Sequence, residues 1–333
     1  MNFNITSNEK FQRLELLNRS AGLVVFESFI MIVITCFAFV GNVLCCIVIF
    51  KTPSLIRNKT NIYITALALS DTLTAIFVMP LSIGVLVQGK WSYGNILCHF
   101  QGFTFLFTAF ITPQTMSLIA LNRYFCVVRP SQYRKWFQRR YCIAMLACVW
   151  LNSFVMALLP LVGQFGIFIF RGDRSICWIT ILDVVTNITY TVPILCLIFI
   201  LPFGIMIVCY AKIFRSMRCH VRHLLTFHQT SGPRNVSVRE IKITKQLFVL
   251  VAGFGICWIP AMVIDTIDQF FVLSRSVFMT YIYLIYISSS INPVIYGVMN
   301  QSFRIAFLNT FSCTNIRVHP TSKNPRQRDG DVN

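Results

Sequence analysis

Long apolar runs separated by short polar segments dominate the chain. Seven runs are each long enough to cross a bilayer core of about 30 Å as a helix, and none shows the strict alternation of a barrel strand. The pattern therefore predicts seven membrane-spanning helices. Their predicted bounds are Val24–Phe50, Tyr63–Val87, Ile96–Val128, Tyr141–Val162, Ile188–Lys212, Ile243–Phe271 and Val277–Val298.

The composition supports a membrane protein. Hydrophobic residues make up 56% of the chain and charged residues only 12%, whereas a soluble domain has about 25% charged residues. An amphipathic stretch, Phe303–Leu308, follows the last apolar run and is typical of a helix lying at the membrane surface. The expected fold class is an all-α membrane protein, a seven-transmembrane helix bundle with a short amphipathic eighth helix.

The charge is distributed unequally between the two sides of the predicted bundle. The net charge is +18, and seven of the 29 lysines and arginines fall on the side of the N-terminus, with the remaining 22 on the other. The positive-inside rule places the basic side in the cytoplasm and the N-terminus outside the cell membrane. The excess of lysine and arginine on this side then reflects the topology and attracts anionic lipid. We therefore expect no nucleic-acid partner.

This orientation divides the chain into four regions. We expect residues 1–23 to form an extracellular N-terminus and residues 24–299 to form the bundle. Residues 300–313 are the predicted amphipathic eighth helix, and residues 314–333 are a predicted cytoplasmic tail.

Several residues are candidates for covalent modification. Asn4 and Asn18 head glycosylation sequons in the outer N-terminus. Of the 13 cysteines, only Cys98 and Cys177 fall on the oxidising outer side, which predicts one disulfide, with two free thiols as the alternative. Cys313 follows the amphipathic stretch and is a candidate for palmitoylation.

Each run carries a short sequence marker. The markers are Gly41-Asn42, Leu67-Ala68-Leu69-Ser70-Asp71, Cys98 with Asn122-Arg123-Tyr124, Trp150, Pro202 with Tyr210, Cys257-Trp258-Ile259-Pro260, and Asn292-Pro293-Val294-Ile295-Tyr296. With one marker per run in this order, the chain resembles the rhodopsin-like family of G-protein-coupled receptors from about Val24 to Cys313. The resemblance implies a receptor that binds an extracellular small-molecule ligand and activates heterotrimeric G proteins.

The chain also departs from the common pattern of this family. Asn122 stands where most members have aspartate, a form shared with melatonin receptors, and the stretch Cys98–Phe103 and the turn Ile56–Asn58 are also similar to theirs. The chain nevertheless keeps Pro293, which melatonin receptors replace. Pro113 is unusual within the third run and should bend that helix.

Asp71 is a carboxylate deep in an apolar run. Such a group must pair, become protonated or bind a cation. The resemblance implies a sodium and water pocket here, with Thr112, Ser288 and Asn292 as neighbours of Asp71. The alternative is a neutral Asp71 bonded only to other helices. An allosteric sodium ion is the only bound ion that we expect, and we expect no cofactor.

The predicted ligand pocket lacks two charged groups found in relatives. Aminergic receptors have an aspartate where this chain has Phe105, and opsins have a retinal-binding lysine where it has Tyr286. The remaining wall is mostly apolar and aromatic, which suits a compact lipophilic or indole-like ligand. The candidates are Phe105, Leu106, Ala109, Ile194, Leu195, Ile198, Trp258, Ala261, Met262, Asp265, Phe278, Ile282 and Tyr286. The alternative is that many aliphatic members only pack helices and that Asp265 belongs to a solvated helix end.

The family's activation switch has candidates throughout the chain. An arginine inside a membrane costs at least about 2.5–3.5 kcal/mol, so Arg123 is either functional or reaches the interface. The resemblance implies that Arg123 pairs with Glu240 and holds the sixth helix inward; the alternative is an exposed Glu240 beside Lys242. The complete predicted set is Asn122, Arg123, Tyr124, Tyr210, Glu240, Trp258, Pro260, Asn292, Pro293 and Tyr296.

Two other classes of protein are less well supported. A membrane transporter or channel is the main alternative, but the runs show no symmetric pair of broken helices. An enzyme is not expected, because the chain has no HExxH metal site, GxSxG elbow or phosphate-binding loop.

Overall fold

The computed structural model describes residues 13–181, 183–226, 238–268, 271 and 273–311, without the side chains of residues 219–226, 238–241, 302 and 311. Four predicted positions fall outside this description: Asn4, the side chain of Glu240, Cys313 and the tail 314–333.

Seven helices in the described residues are long and apolar enough to cross a membrane, as predicted. We number them spans 1–7 in chain order. Their bounds are Ala21–Lys51, Lys59–Gln88, Gly94–Val128, Arg139–Val162, Val184–Arg218, Lys242–Asp268 and Arg275–Met299.

Two spans contain an internal change of helix geometry, and two extend beyond these bounds. Span 2 consists of the helices Lys59–Phe77 and Met79–Gln88. Span 5 consists of the helix Val184–Ile194, a π-helical segment Leu195–Ile200 and the helix Leu201–Thr226. The helix of span 6 begins at Val238.

Shorter elements connect and follow the spans. The helices Pro53–Ile56 and Pro130–Trp136 follow spans 1 and 3. Strands β1, Gly166–Arg171, and β2, Ile176–Ile181, lie between spans 4 and 5. The predicted eighth helix is Gln301–Phe311.

Some ends of the spans differ from the predicted bounds, and at span 5 a capping side chain explains the difference. Span 5 begins at Val184, because the Asp183 carboxylate accepts hydrogen bonds from the backbone nitrogen and the hydroxyl of Thr186. These bonds lower the pKa of Asp183. Span 6 ends at Asp268, before the predicted end at Phe271.

The strands form an antiparallel hairpin, which the sequence reading did not predict. Arg171 pairs with Ile176, and the four residues between them form the turn. Ser175 closes this turn in the left-handed backbone region, with φ of 55°. The Cys98–Cys177 disulfide joins span 3 to β2, which confirms the predicted bond.

Span 3 lies at the centre of the bundle. Its apolar stretch is 78% buried, against 22% for that of span 4. Gly102 of span 3 lets the hairpin approach closely, because a Cβ there would lie 2.3 Å from the ring of Phe168. The hairpin is therefore packed directly on the central helix, above the predicted ligand pocket.

Candidate functional site

The candidate residues form three groups along the bundle. We call the end that carries the hairpin the hairpin side and the opposite end the arginine side, after Arg123. The first group lies beneath the hairpin, the second surrounds Asp71 in the middle, and the third surrounds Arg123.

An aromatic wall connects the hairpin to the predicted ligand pocket. The ring centroid of Trp178 on β2 lies 5.5 Å from that of Phe105 and 6.4 Å from that of Tyr281. Phe278 is fully buried on the same side, next to Tyr281. Sequence reasoning identified Phe105 and Phe278 but missed Trp178, because nothing in the apolar pattern indicates that a residue between two spans enters the bundle. It also missed Tyr281 of span 7.

Arg174 in the hairpin turn lies against the ends of spans 6 and 7. Its Nη1 is 2.9 Å from Oδ1 of Asp265, and its Nη2 is 2.9 Å from Oδ2 of Asp268. Burial alone would lower the pKa of the guanidinium, but the carboxylates, Asp265 foremost, outweigh it and raise that pKa above its usual value. Asp265 thus has a protein partner, and Arg174 is a site residue that the sequence reading missed.

Tyr286 belongs to a buried polar chain. Its hydroxyl is 3.1 Å from the hydroxyl of Ser82, which accepts a bond from Nε2 of Gln101 at 3.3 Å. Oε1 of Gln101 accepts a bond from the backbone nitrogen of Cys177 at 3.0 Å. The chain links span 7, through spans 2 and 3, to the hairpin.

Trp258 lies at the base of the predicted pocket. Its ring contacts Phe199 and Phe254, at centroid distances of 5.7 and 5.4 Å. Its Nε1 donates a hydrogen bond of 3.0 Å to the hydroxyl of Ser288. Most of the aliphatic pocket candidates are buried, and Leu195 and Met262 are half-buried. The buried ones are Leu106, Ala109, Ile194, Ile198, Ala261 and Ile282.

The Asp71 group contains one of its three predicted neighbours. Nδ2 of Asn292 donates to Oδ2 of Asp71 at 2.8 Å, and Ser289 also hydrogen-bonds to this carboxylate. The hydroxyls of Thr112 and Ser288 instead donate to backbone oxygens of their own helices. Ser289 was missed among three consecutive serines, although it lies three residues before Asn292, on the same helical face.

The oxygen atoms around Asp71 fit a sodium ion. The set contains a carboxylate, the Ser289 hydroxyl and the amide of Asn292. Nδ2 of Asn42 donates to the Ser289 carbonyl, whereas its Oδ1 is buried without a hydrogen-bond partner in the described part of the chain. Hard cations prefer such oxygen ligands. Among the described residues, no cluster of three or more histidine, cysteine or acidic side chains is placed to hold a metal ion.

Arg123 is buried at the other end of span 3, with 2% of its surface exposed. Its Nη2 donates to the hydroxyl of Thr60 on span 2 and, at 3.0 Å, to Oδ1 of Asn122. The Thr60 hydroxyl in turn donates to the same Asn122 oxygen at 3.0 Å. Asn122 therefore provides an acceptor for Arg123, although it lacks the charge of the usual aspartate.

The remaining switch candidates surround the arginine side. The hydroxyls of Tyr210 and Tyr296 are buried and have no hydrogen-bond partner within the described ranges. The Lys212 ammonium lies 5.7 Å from the ring centroid of Tyr124. Pro260 and Pro293 lie within the helices of spans 6 and 7.

A second buried ionic group lies at the hairpin side. Both oxygens of Glu27 accept bonds from Arg275, at 2.7 and 2.8 Å, and Arg19 forms a further ion pair with Oε2. The Tyr283 hydroxyl donates to the Glu27 carbonyl at 3.1 Å. Burial lowers the pKa of Arg19, partly offset by its bond to Glu27. This group joins spans 1 and 7 to the segment before span 1, and sequence reasoning missed it.

These features match those of a known receptor family. The family model of the "7 transmembrane receptor (rhodopsin family)" matches residues 41–296. The chain therefore belongs to the rhodopsin family of seven-transmembrane receptors, and it is a receptor rather than an enzyme.

Receptors of several kinds are similar to the chain. It is 27% identical to 5-hydroxytryptamine receptor 4 of Cavia porcellus, covering 94% of this chain and 84% of the relative. It is 26% identical to melatonin receptor type 1B of Mus musculus, with coverage of 86% and 79%. The structure of squid rhodopsin matches with a TM-score of 0.77 at 23% identity, covering 88% of this chain and 86% of that one. This last likeness shows the fold alone.

Proposed function

We propose that the protein is a cell-membrane receptor that binds an extracellular small-molecule ligand and activates heterotrimeric G proteins. Its hairpin side would face outward, with the N-terminus, and its arginine side would face the cytoplasm. The observation that carries this proposal is the buried Arg123 cluster with Thr60 and Asn122, at the end of the bundle opposite the aromatic pocket. Burying an arginine inside a membrane protein costs free energy, so such a residue is a candidate for a functional role, here an activation switch.

The pocket supports a compact lipophilic or indole-like ligand. Phe105, Trp178 and Tyr281 provide stacking surfaces, and Phe105 replaces the aspartate of a standard amine site. Relatives named for 5-hydroxytryptamine and melatonin, which are both indoles, support the same ligand class.

A screen of compact aromatic compounds, read by biosensors for several G-protein subtypes, tests this function. We expect at least one compound to activate one subtype only in cells that express the chain. A transporter or channel would instead produce a flux of solute or ions without G-protein activation, and that result would refute the proposal.

The Asp71 group is proposed to couple sodium to activation. Asp71→Asn removes the charge at nearly constant volume, so the sodium dependence of ligand binding or basal signalling should disappear. Thr72→Val is the matched control, because the Thr72 hydroxyl bonds only to the carbonyl of Ala68 in its own helix. A wild-type sodium response in the Asp71→Asn variant would contradict this role.

The Arg123 cluster is proposed to stabilise the resting receptor, together with a pair between Arg123 and Glu240. Hydrogen bonds to charged groups contribute about 1.5–3 kcal/mol, and about 1.4 kcal/mol changes a two-state ratio tenfold. Glu240→Ala and Thr60→Val should therefore raise ligand-free signalling at matched surface expression. Thr65→Val is the control, since the Thr65 hydroxyl bonds to the Asn61 carbonyl of its own helix. Basal activity at the wild-type level in Glu240→Ala would refute the pair.

A further inference from the structure

The Arg174 side chain is enclosed by aromatic rings from two elements. Its guanidinium carbon lies 4.4 Å from the ring centroid of Trp178, 4.8 Å from that of Phe278 and 5.6 Å from that of Tyr281. Only 3% of the side chain is exposed. Such distances are those of cation–π contacts, which strengthen when the cation is desolvated.

Two carboxylates complete this enclosure. Arg174 forms ion pairs with Asp265 through Nη1 and with Asp268 through Nη2, both at 2.9 Å, and the Nη2 contact is also a hydrogen bond. The Tyr281 hydroxyl donates to Asp265 at 3.3 Å. Asp173, the nearest other acid of the hairpin, is paired with Arg171 at 3.0 Å. One cation is thus held by two carboxylates. We call the five residues around Arg174 the cation cage; they are Trp178, Asp265, Asp268, Phe278 and Tyr281.

The cation cage borders both the surface and the proposed ligand pocket. The Asp265 side chain is 34% exposed, so the cage opens on one side. The Trp178 ring contacts both the guanidinium of Arg174, at 4.4 Å, and the ring of Phe105 in the pocket, at 5.5 Å. Arg174 itself lies in the four-residue turn between β1 and β2, so this turn is the segment that would move to vacate the cage.

We propose that the cation cage is a binding site for the guanidinium or ammonium group of a ligand, and that Arg174 occupies it from within the chain in this structure. Aromatic faces combined with carboxylates are the chemistry that recognises organic cations. The inference rests on the proposed receptor function, and it adds a cationic end to the aromatic ligand proposed there. A tethered group competes at an effective concentration in the millimolar range, so Arg174 weakens the binding of any free cation.

Chemical complementation of the full-length protein tests the cage. Arg174→Ala removes the ethylguanidinium portion of the side chain, and free N-ethylguanidinium is the probe. In purified Arg174→Ala protein the probe should raise the melting temperature, with a half-maximal concentration at least tenfold lower than in the wild type. Arg13→Ala is the matched control, because Arg13 donates to the carbonyl of Phe170 on the same hairpin and does not contact the cage; it should respond as the wild type does.

The neutral analogue N-ethylurea distinguishes charge recognition from simple filling of space. It should not stabilise Arg174→Ala. Adding Asp265→Asn and Asp268→Asn to Arg174→Ala should abolish the response to N-ethylguanidinium. Equal stabilisation by both probes, or equal half-maximal concentrations in the wild type and Arg174→Ala, would overturn the proposal.

Poor folding of Arg174→Ala does not prevent the test. In that case the amount of folded protein recovered with N-ethylguanidinium in the expression medium becomes the readout, and the absence of recovery would contradict the cage. Neither readout involves a G protein. The binding result therefore tests the cage even if the receptor proposal is refuted. Nucleotide exchange, in turn, tests the receptor proposal even if the cage is refuted.

Discussion

Replacing both cysteines of the Cys98–Cys177 bond with serine should destabilise the folded receptor by about 2–5 kcal/mol, as loss of a native disulfide commonly does in small secreted domains. The bond joins residues 79 positions apart in sequence, so its loss frees a long loop in the unfolded chain. It also removes the covalent link that holds β2 on span 3. We expect a lower melting temperature of the purified protein and less protein at the cell surface.

A free cysteine provides the control for this experiment. Cys36 is exposed and unpaired, so Cys36→Ser should leave the melting temperature unchanged. A Cys98→Ser, Cys177→Ser variant with the stability and surface amount of the wild type would show that the hairpin is held by packing alone.

Glu27→Gln should also cause a large loss of stability. Removing one partner of a buried ion pair typically costs about 3–5 kcal/mol, because the remaining charge is left uncompensated. Here two cations depend on Glu27, and the side chains of Arg19, Glu27 and Arg275 are only 3%, 8% and 7% exposed. The expected result is a markedly lower melting temperature that added salt does not restore, since buried charges are poorly screened.

Glu15 provides the matched control. It lies in the segment before span 1 and is half-buried, but no ion pair joins it to another described residue. Glu15→Gln should therefore have little effect. A Glu27→Gln variant as stable as Glu15→Gln would indicate that the two arginines find solvent or other partners.

The seven spans were predictable because each crossing requires an uninterrupted apolar helix of sufficient length. Their ends were less predictable, since a single cap such as Asp183 fixes the start of a helix without changing its hydropathy. The hairpin was missed because it is a short segment between spans, whose two strands depend on packing against span 3 and on the Cys98–Cys177 bond.

The candidate site was only partly predictable from sequence. Residues in marker motifs, such as Asp71 and Asn292, do meet in the structure. Arg174 and Glu27 carry no motif, and their roles arise from contacts with residues far away in sequence. Such pairs become visible only when the spans are assembled, because composition and spacing describe each helix by itself.

Guanine-nucleotide exchange in membranes with matched surface amounts of wild type and Arg123→Ala tests the central claim most directly. Purified heterotrimeric G proteins of several subtypes would be added, with and without the compounds from the ligand screen. We expect the wild type to accelerate exchange on at least one subtype and Arg123→Ala to reduce that acceleration strongly. The account would be contradicted if the wild type, Arg123→Ala and membranes without the protein all gave the same rate of nucleotide exchange for every subtype and compound.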